Sequence, residues 1–173
     1  MSRLLSLDQA SRTTGWAVFD GTELIKFGKF TVSEDDIGER LYAIRNHVQK
    51  LIDEYKIDEV AFEDIQLQNN VVNNVQTFKI LAEVFGILDE LFVELKMPHT
   101  AVLASTWKST LGIKGKTRPE QKKNAQAYVN TKYNIKATQD ESDAICIGSH
   151  MRGGKAITKT NLKSTDEGFD WSD

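Results

Sequence analysis

The sequence predicts an α/β domain built on a mixed five-stranded sheet, three antiparallel strands followed by two parallel ones, flanked by helices. Three observations lead there. Short apolar runs bounded by turn residues recur near the N-terminus, and segments with helical apolar spacing alternate with strand-like runs further on. The length, 173 residues, suits one compact domain. Hydrophobic residues make up 40% and charged residues 27%, enough to fill a core and incompatible with a disordered or fibrous chain.

Arg3–Asp8 reads as a short buried strand and Thr14–Phe19 as a second. Asp20-Gly21 favours a two-residue hairpin, so Leu24–Val32 closes an antiparallel meander. Leu41, Ile44, Val48, Leu51 and Ile52 recur at helical spacing and predict a helix over 36–55. Asp58–Glu63 is again strand-like. A long helix follows over 72–96, its wide apolar face running from Val75 and Phe78 to Phe92 and Leu95, and Met97-Pro98 ends it. Thr100–Leu103 gives the fifth strand, and Ser105 caps a short helix reaching Leu111. Residues 112–118 read as a flexible basic loop, and Pro119 suits the first turn of a helix reaching Lys132. Asp140 opens a last helix that ends near Met151. The domain therefore spans 1–151, and 152–173 reads as a polar, flexible tail.

Several classes fall away. No apolar stretch approaches the ~20 residues of a membrane-spanning helix, and Met-Ser-Arg-Leu-Leu-Ser-Leu-Asp carries no secretory signal, which points to the cytoplasm. One cysteine, Cys146, rules out a disulfide framework or a cysteine-rich zinc site, and three scattered histidines make a histidine-based site hard to build. The net charge of −3 argues against a polyanion partner, yet it is unevenly spread. Residues 1–104 hold 10 Lys/Arg against 17 Asp/Glu, residues 105–163 hold 12 against 4, and the last ten carry four acids. Because surface fields reach only ~8 Å at physiological salt, the positive middle segment can attract a polyanion locally; a solvated lysine face is the plain alternative.

Four acids stand where acids are awkward. Asp8 and Glu63 each end an apolar strand, while Asp140 and Asp143 share one face in the first turn of a helix. A right-handed crossover lays the fourth strand parallel to the first. If the two are neighbours, Asp8 and Glu63 emerge side by side. Converging carboxylates repel one another unless a cation cancels their charge, and oxygen donors suit Mg²⁺ with Mn²⁺ as a substitute. Two such ions activate a water and stabilise the leaving oxygen of a phosphodiester. Each acid alone has a plainer role: Asp8 as a turn residue, Asp140 as a helix cap. Asp64, Glu141, Asp35 and Asp36 read as solvated acids.

Leu-Ser-Leu-Asp8 followed by Thr-Gly-Trp-Ala-Val, then Val-Ala-Phe-Glu63-Asp, then Asp140-Glu-Ser-Asp143-Ala resemble the RuvC-like Holliday junction resolvases of the RNase H-like superfamily, in particular those of bacteriophages. The resemblance covers residues 3–150. It implies an RNase H-like fold, Asp8, Glu63, Asp140 and Asp143 as catalytic metal ligands, and a homodimer that cuts opposing strands of four-way and other branched DNA. The helix over 72–96 is the candidate dimer contact. Lys108 and the Lys122-Lys123 pair fall where the family places phosphate-contacting lysines, and Lys114, Lys116 and Arg118 could grip strands further out. Bacterial members of the family carry an aromatic shortly after the second acid; Asp64–Asn70 has none here, which implies cleavage governed by branch shape more than by base identity.

Three other readings compete. Asp8-Gln-Ala-Ser-Arg-Thr-Thr-Gly resembles the phosphate loop of sugar kinases and actin-like ATPases, but those need two such domains, so no nucleotide cofactor is expected. A non-catalytic branched-DNA binder would use the acids only as caps. A nuclease acting on RNA–DNA hybrids would need contacts to 2′-hydroxyls.

Overall fold

In a computed structural model, residues 2–66, 75–153 and 165–166 are described. The chain runs β1 (Arg3–Asp8), β2 (Thr13–Asp20), β3 (Glu23–Thr31), α1 (Ile37–Tyr55), β4 (Glu59–Glu63), α2 (Val75–Glu94), β5 (His99–Val102), α3 (Ala104–Leu111), α4 (Arg118–Tyr133), α5 (Gln139–Arg152) and β6 (Thr165–Asp166). The sheet order is β5-β4-β1-β2-β3-β6. The first three strands form the antiparallel meander, and β4 and β5 add to it in parallel. The mixed sheet of five strands is therefore as the sequence predicts, extended by the two-residue β6 that pairs in parallel with β3.

Alternating side chains split the core in two. Leu5, Leu7, Trp16, Val18, Val60 and Phe62 face one side, where α1 and α2 cover them. Leu4, Ala17, Phe19 and Ala61 face the other, against Trp107 of α3, Ala125 and Val129 of α4 and Ile145 of α5. By the same parity Asp8 and Glu63 lie on the second side, with α3, α4 and α5.

Local corrections follow from capping chemistry. The hairpin loop is Gly21-Thr22, since Asp20 pairs with Glu23, and Gly21 takes φ 61 where the turn demands it. The long helix is described from Val75; residues 72–74 of its expected span lie outside the described residues. Ser105 does not cap α3, whose cap residue is Leu103 with no side-chain bond. Thr138, not Asp140, caps α5, and it does so reciprocally with Glu141. Glu141 is accordingly fully buried, not solvated. Asp36 stays exposed but caps α1 through the Glu39 N–H. The basic loop is tied down, because the Asn124 and Gln121 side chains bond the carbonyls of Lys114 and Gly115, and Glu120 accepts from the Lys116 N–H. Of the expected tail, residues 154–164 and 167–173 lie outside the described residues.

Candidate active site

β1 and β4 are hydrogen-bonded neighbours in register Leu7↔Phe62, so the next residue of each strand, Asp8 and Glu63, comes out at the same edge. Past that point the ladder is continued by a side chain. Gln9 donates from Nε2 to the Glu63 carbonyl at 2.6 Å and accepts at Oε1 from the Glu63 N–H at 3.1 Å. The amide thus replaces one residue of strand and fixes the Glu63 backbone beside Asp8.

The α5 helix reaches the same edge because small residues let it lie close to the sheet. Asp8 pairs across the sheet with Gly15, and a Cβ at Gly15 would stand 2.0 Å from the Asp140 carbonyl oxygen. A Cβ on Gly148 would stand 2.1 Å from the Phe19 ring. Between these contacts, Ser6 Oγ donates to the Ala144 carbonyl at 2.7 Å. The first turn of α5, with Asp140 and Asp143, is therefore pressed against the end of β1.

The electrostatics register this crowding. Burial raises the Asp8 carboxyl well above the ordinary value, and the charges of Glu63, Asp143 and Asp140 add to the rise. Burial and the Asp143 charge also raise Glu63. Burial is the main cause of the rise at Asp143 too, with Asp140 adding to it. The opposing charges come from α3 and α4. Lys122 Nζ stands 3.3 Å from Asp143 Oδ2. Burial pulls the Lys122 pKa down, but Asp143 and Asp8 outweigh it and raise it overall. The charge of Lys108 acts on both Glu63 and Asp143. The buried indole N–H of Trp107 also favours the charged form of Glu63, without closing a full hydrogen bond to any acceptor.

Asp8, Glu63, Asp140, Asp143, Lys108 and Lys122 are thus brought to one place. Lys114, Lys116, Arg118 and Lys123 are exposed, and of these Arg118 is near enough to the site for its charge to act on Lys122. Asp64 spends an oxygen on the Ile65 N–H, and Asp35 is exposed in an ion pair with Arg12. The aromatic-free stretch after Glu63 lies outside the described residues from Leu67 to Asn70. Sequence reasoning missed Gln9, Trp107 and Gln121. Their only signals were adjacency to Asp8, to Lys108 and to Lys122.

An all-carboxylate donor set with mutual repulsion is what a hard divalent cation relieves. Among the described residues no three His, Cys, Asp or Glu side chains already stand as a ligand cluster, so side-chain rotation has to complete any coordination shell. The chemistry of the donors, oxygen atoms only, suits such an ion.

Acids at the ends of two neighbouring parallel strands, joined by a helix crossing the antiparallel meander, define a domain of the RNase H-like class. Residues 4–149 match the family model described as crossover junction endodeoxyribonuclease RuvC, and the chain belongs to that family. The RuvC of Methylococcus capsulatus is 32% identical over 73 residues, a match covering 40% of this chain and 44% of that protein, less than half its length. The RuvC of Geobacter sulfurreducens is 27% identical over 169 residues, covering 94% of this chain and 98% of that one. Among solved structures, the T. thermophilus RuvC in complex with Holliday junction substrate superposes with a TM-score of 0.65 at 15% identity, over 87% of this chain and 92% of that one. That likeness supports the fold.

Proposed function

We propose that the chain is a structure-selective, metal-dependent endonuclease that resolves Holliday junctions and related branched DNA by paired phosphodiester hydrolysis, with weak sequence preference. One observation carries the reading: Asp8 and Glu63 end neighbouring parallel strands at the sheet edge that Asp143 also reaches, where burial raises all three carboxyls and the charges of Glu63 and Asp143 add to the rise at Asp8. A core that gained only stability from this edge would not retain such repulsion.

Asp8, Glu63, Asp140 and Asp143 would hold Mg²⁺, or Mn²⁺ in its place. Bound there, the ion supplies a deprotonated water as nucleophile and stabilises the leaving oxygen. The chain's own part is positioning. Gln9 and the Gly15 contact fix the acids' backbones, while Lys108 and Lys122 neutralise the charge between carboxylates and an incoming phosphate. Lys114, Lys116, Arg118 and Lys123 would grip the backbone of neighbouring arms.

Cutting two opposing strands calls for a two-fold assembly. The first half of α2 suits it, with Val75 exposed and Phe78 and Leu81 only partly buried. No helix among the described residues is long and apolar enough to cross a membrane, which accords with cytoplasmic action on DNA.

The test incubates the protein with Mg²⁺ or Mn²⁺ and a four-way junction, a linear duplex or an RNA–DNA hybrid. Symmetric nicks on the junction, lost in Asp8→Asn with binding retained, support the proposal. Cutting of the hybrid alone, or junction binding without metal-dependent cutting, overturns it.

A further inference from the structure

The geometry points to Gln121 as a positioning residue that links the basic turn to Lys108, an inference that rests on the nuclease reading. Gln121 Oε1 accepts from Lys108 Nζ at 3.0 Å, and its Nε2 donates to the Gly115 carbonyl at 3.0 Å. Chemistry fixes the amide's orientation, since an ammonium only donates and a carbonyl only accepts. Glutamate at this position lacks the donor for Gly115. Methionine lacks both functions.

Packing leaves the link little slack. A Cβ on Gly115 would stand 2.8 Å from the Gln121 backbone nitrogen and 2.9 Å from its Cγ, so turn and helix are in close contact. Lys108 is also held from below, its Nζ 5.4 Å from the Trp107 ring centroid. Held by Trp107 and Gln121, the Lys108 ammonium is kept where its charge reaches Glu63 and Asp143. The turn that carries Lys114 and Lys116 is on the other end of the same amide. A strand gripped by those two lysines therefore bears on the placement of Lys108 through one side chain, which couples backbone grip to cleavage rather than to affinity.

The test is a double-mutant cycle of Gln121→Met and Lys108→Met, read as single-turnover junction cleavage and as junction binding with Ca²⁺ in place of the activating ion. Gln121→Met is expected to slow cleavage about tenfold while changing junction affinity less than twofold. In the Lys108→Met background it should have no further effect. Gln121→Glu should also slow cleavage, and thermal melting confirms that both variants fold. The link is read apart from catalysis by competitive lysine acylation and mass spectrometry, where Gln121→Met should raise Lys108 labelling several-fold and leave Lys132 unchanged. Unchanged Lys108 labelling overturns the inference whether or not the junction is cut. Loss of rate that adds to that of Lys108→Met overturns the coupling. A wild-type protein that cuts no junction overturns the nuclease reading and the coupling together, while the labelling result still decides the link.

Discussion

The Gln9 side chain clasps the main chain of Glu63 from both sides, at 2.6 Å to its carbonyl and 3.1 Å from its N–H. The chain thereby leaves the sheet at Asp8 without losing register with the strand that presents Glu63. Removing the amide in Gln9→Ala deletes two hydrogen bonds, each worth about 1 kcal/mol net. Stability in urea should fall by roughly 1–2 kcal/mol, and junction cleavage by about tenfold, with junction binding preserved. Cleavage at the wild-type rate would show that Glu63 needs no such anchor.

Charge crowding predicts an activity–stability opposition at Asp8. The folded pKa values of Asp8, Glu63 and Asp143 lie above their ordinary values. From the ordinary carboxylate range up to those raised values, the folded state binds more protons than the unfolded one. Stability with a chelator present therefore falls as pH rises through that window. Asp8→Asn should flatten this fall and melt a few degrees higher than wild type at neutral pH, since about 1 kcal/mol corresponds to ~2–4 °C at this size. It should also cut at least ~1000-fold more slowly and lose the stabilisation that Mg²⁺ gives the wild type. Thermal melts with chelator and with Mg²⁺ check both sides.

The opposite pH sign is expected at His47. Burial and Lys50 push its pKa down from 6.5 to about 4, and its ring stacks on Phe30 with centroids 4.2 Å apart. Between these values the unfolded chain binds the extra proton, so this contribution is full above pH 6.5 and is lost as pH falls toward 4. The shift sets an upper bound on the order of 3 kcal/mol. His47→Phe should lessen the acid-side slope of denaturant stability, whatever its effect on the neutral-pH baseline. An unchanged slope would exclude His47 as its source.

The Gly15 contact can be tested by adding one methyl. Gly15→Ala would put a carbon 2.0 Å from the Asp140 carbonyl oxygen, a backbone atom that can yield only if α5 moves. Overpacking of this kind costs about 1–3 kcal/mol, and it also shifts Asp140 and Asp143 away from Asp8. Denaturation should show that loss, and cleavage should fall well beyond what the lost stability explains. Gly86→Ala is the control, because nothing lies within 4 Å of its added carbon.

The strands and their parallel crossover were legible because Leu4, Leu5 and Leu7, and Val60 and Phe62, mark buried runs whose last residue is an acid. Asp140 and Asp143 were legible as a pair through helical spacing alone. What pattern could not supply was the use made of polar side chains. Glu141 looked like any surface acid, yet it completes the cap that Thr138 begins, a pairing set by a residue two positions ahead of Asp140. Gln9 and Gln121 act through amides on partners 54 and 13 residues away in the chain, and no local periodicity reports such contacts. The basic segment looked mobile from its glycines, but Asn124 and Gln121 reach back and hold its carbonyls.

The sheet keeps its two apolar clusters apart, with α1 and α2 on one side and α3 to α5 on the other. All six groups gathered at the edge belong to the latter half. Drift in the α1 and α2 layer reaches the acids through β1 and β4, so substitutions there that leave those two strands in place leave the reacting edge as it is.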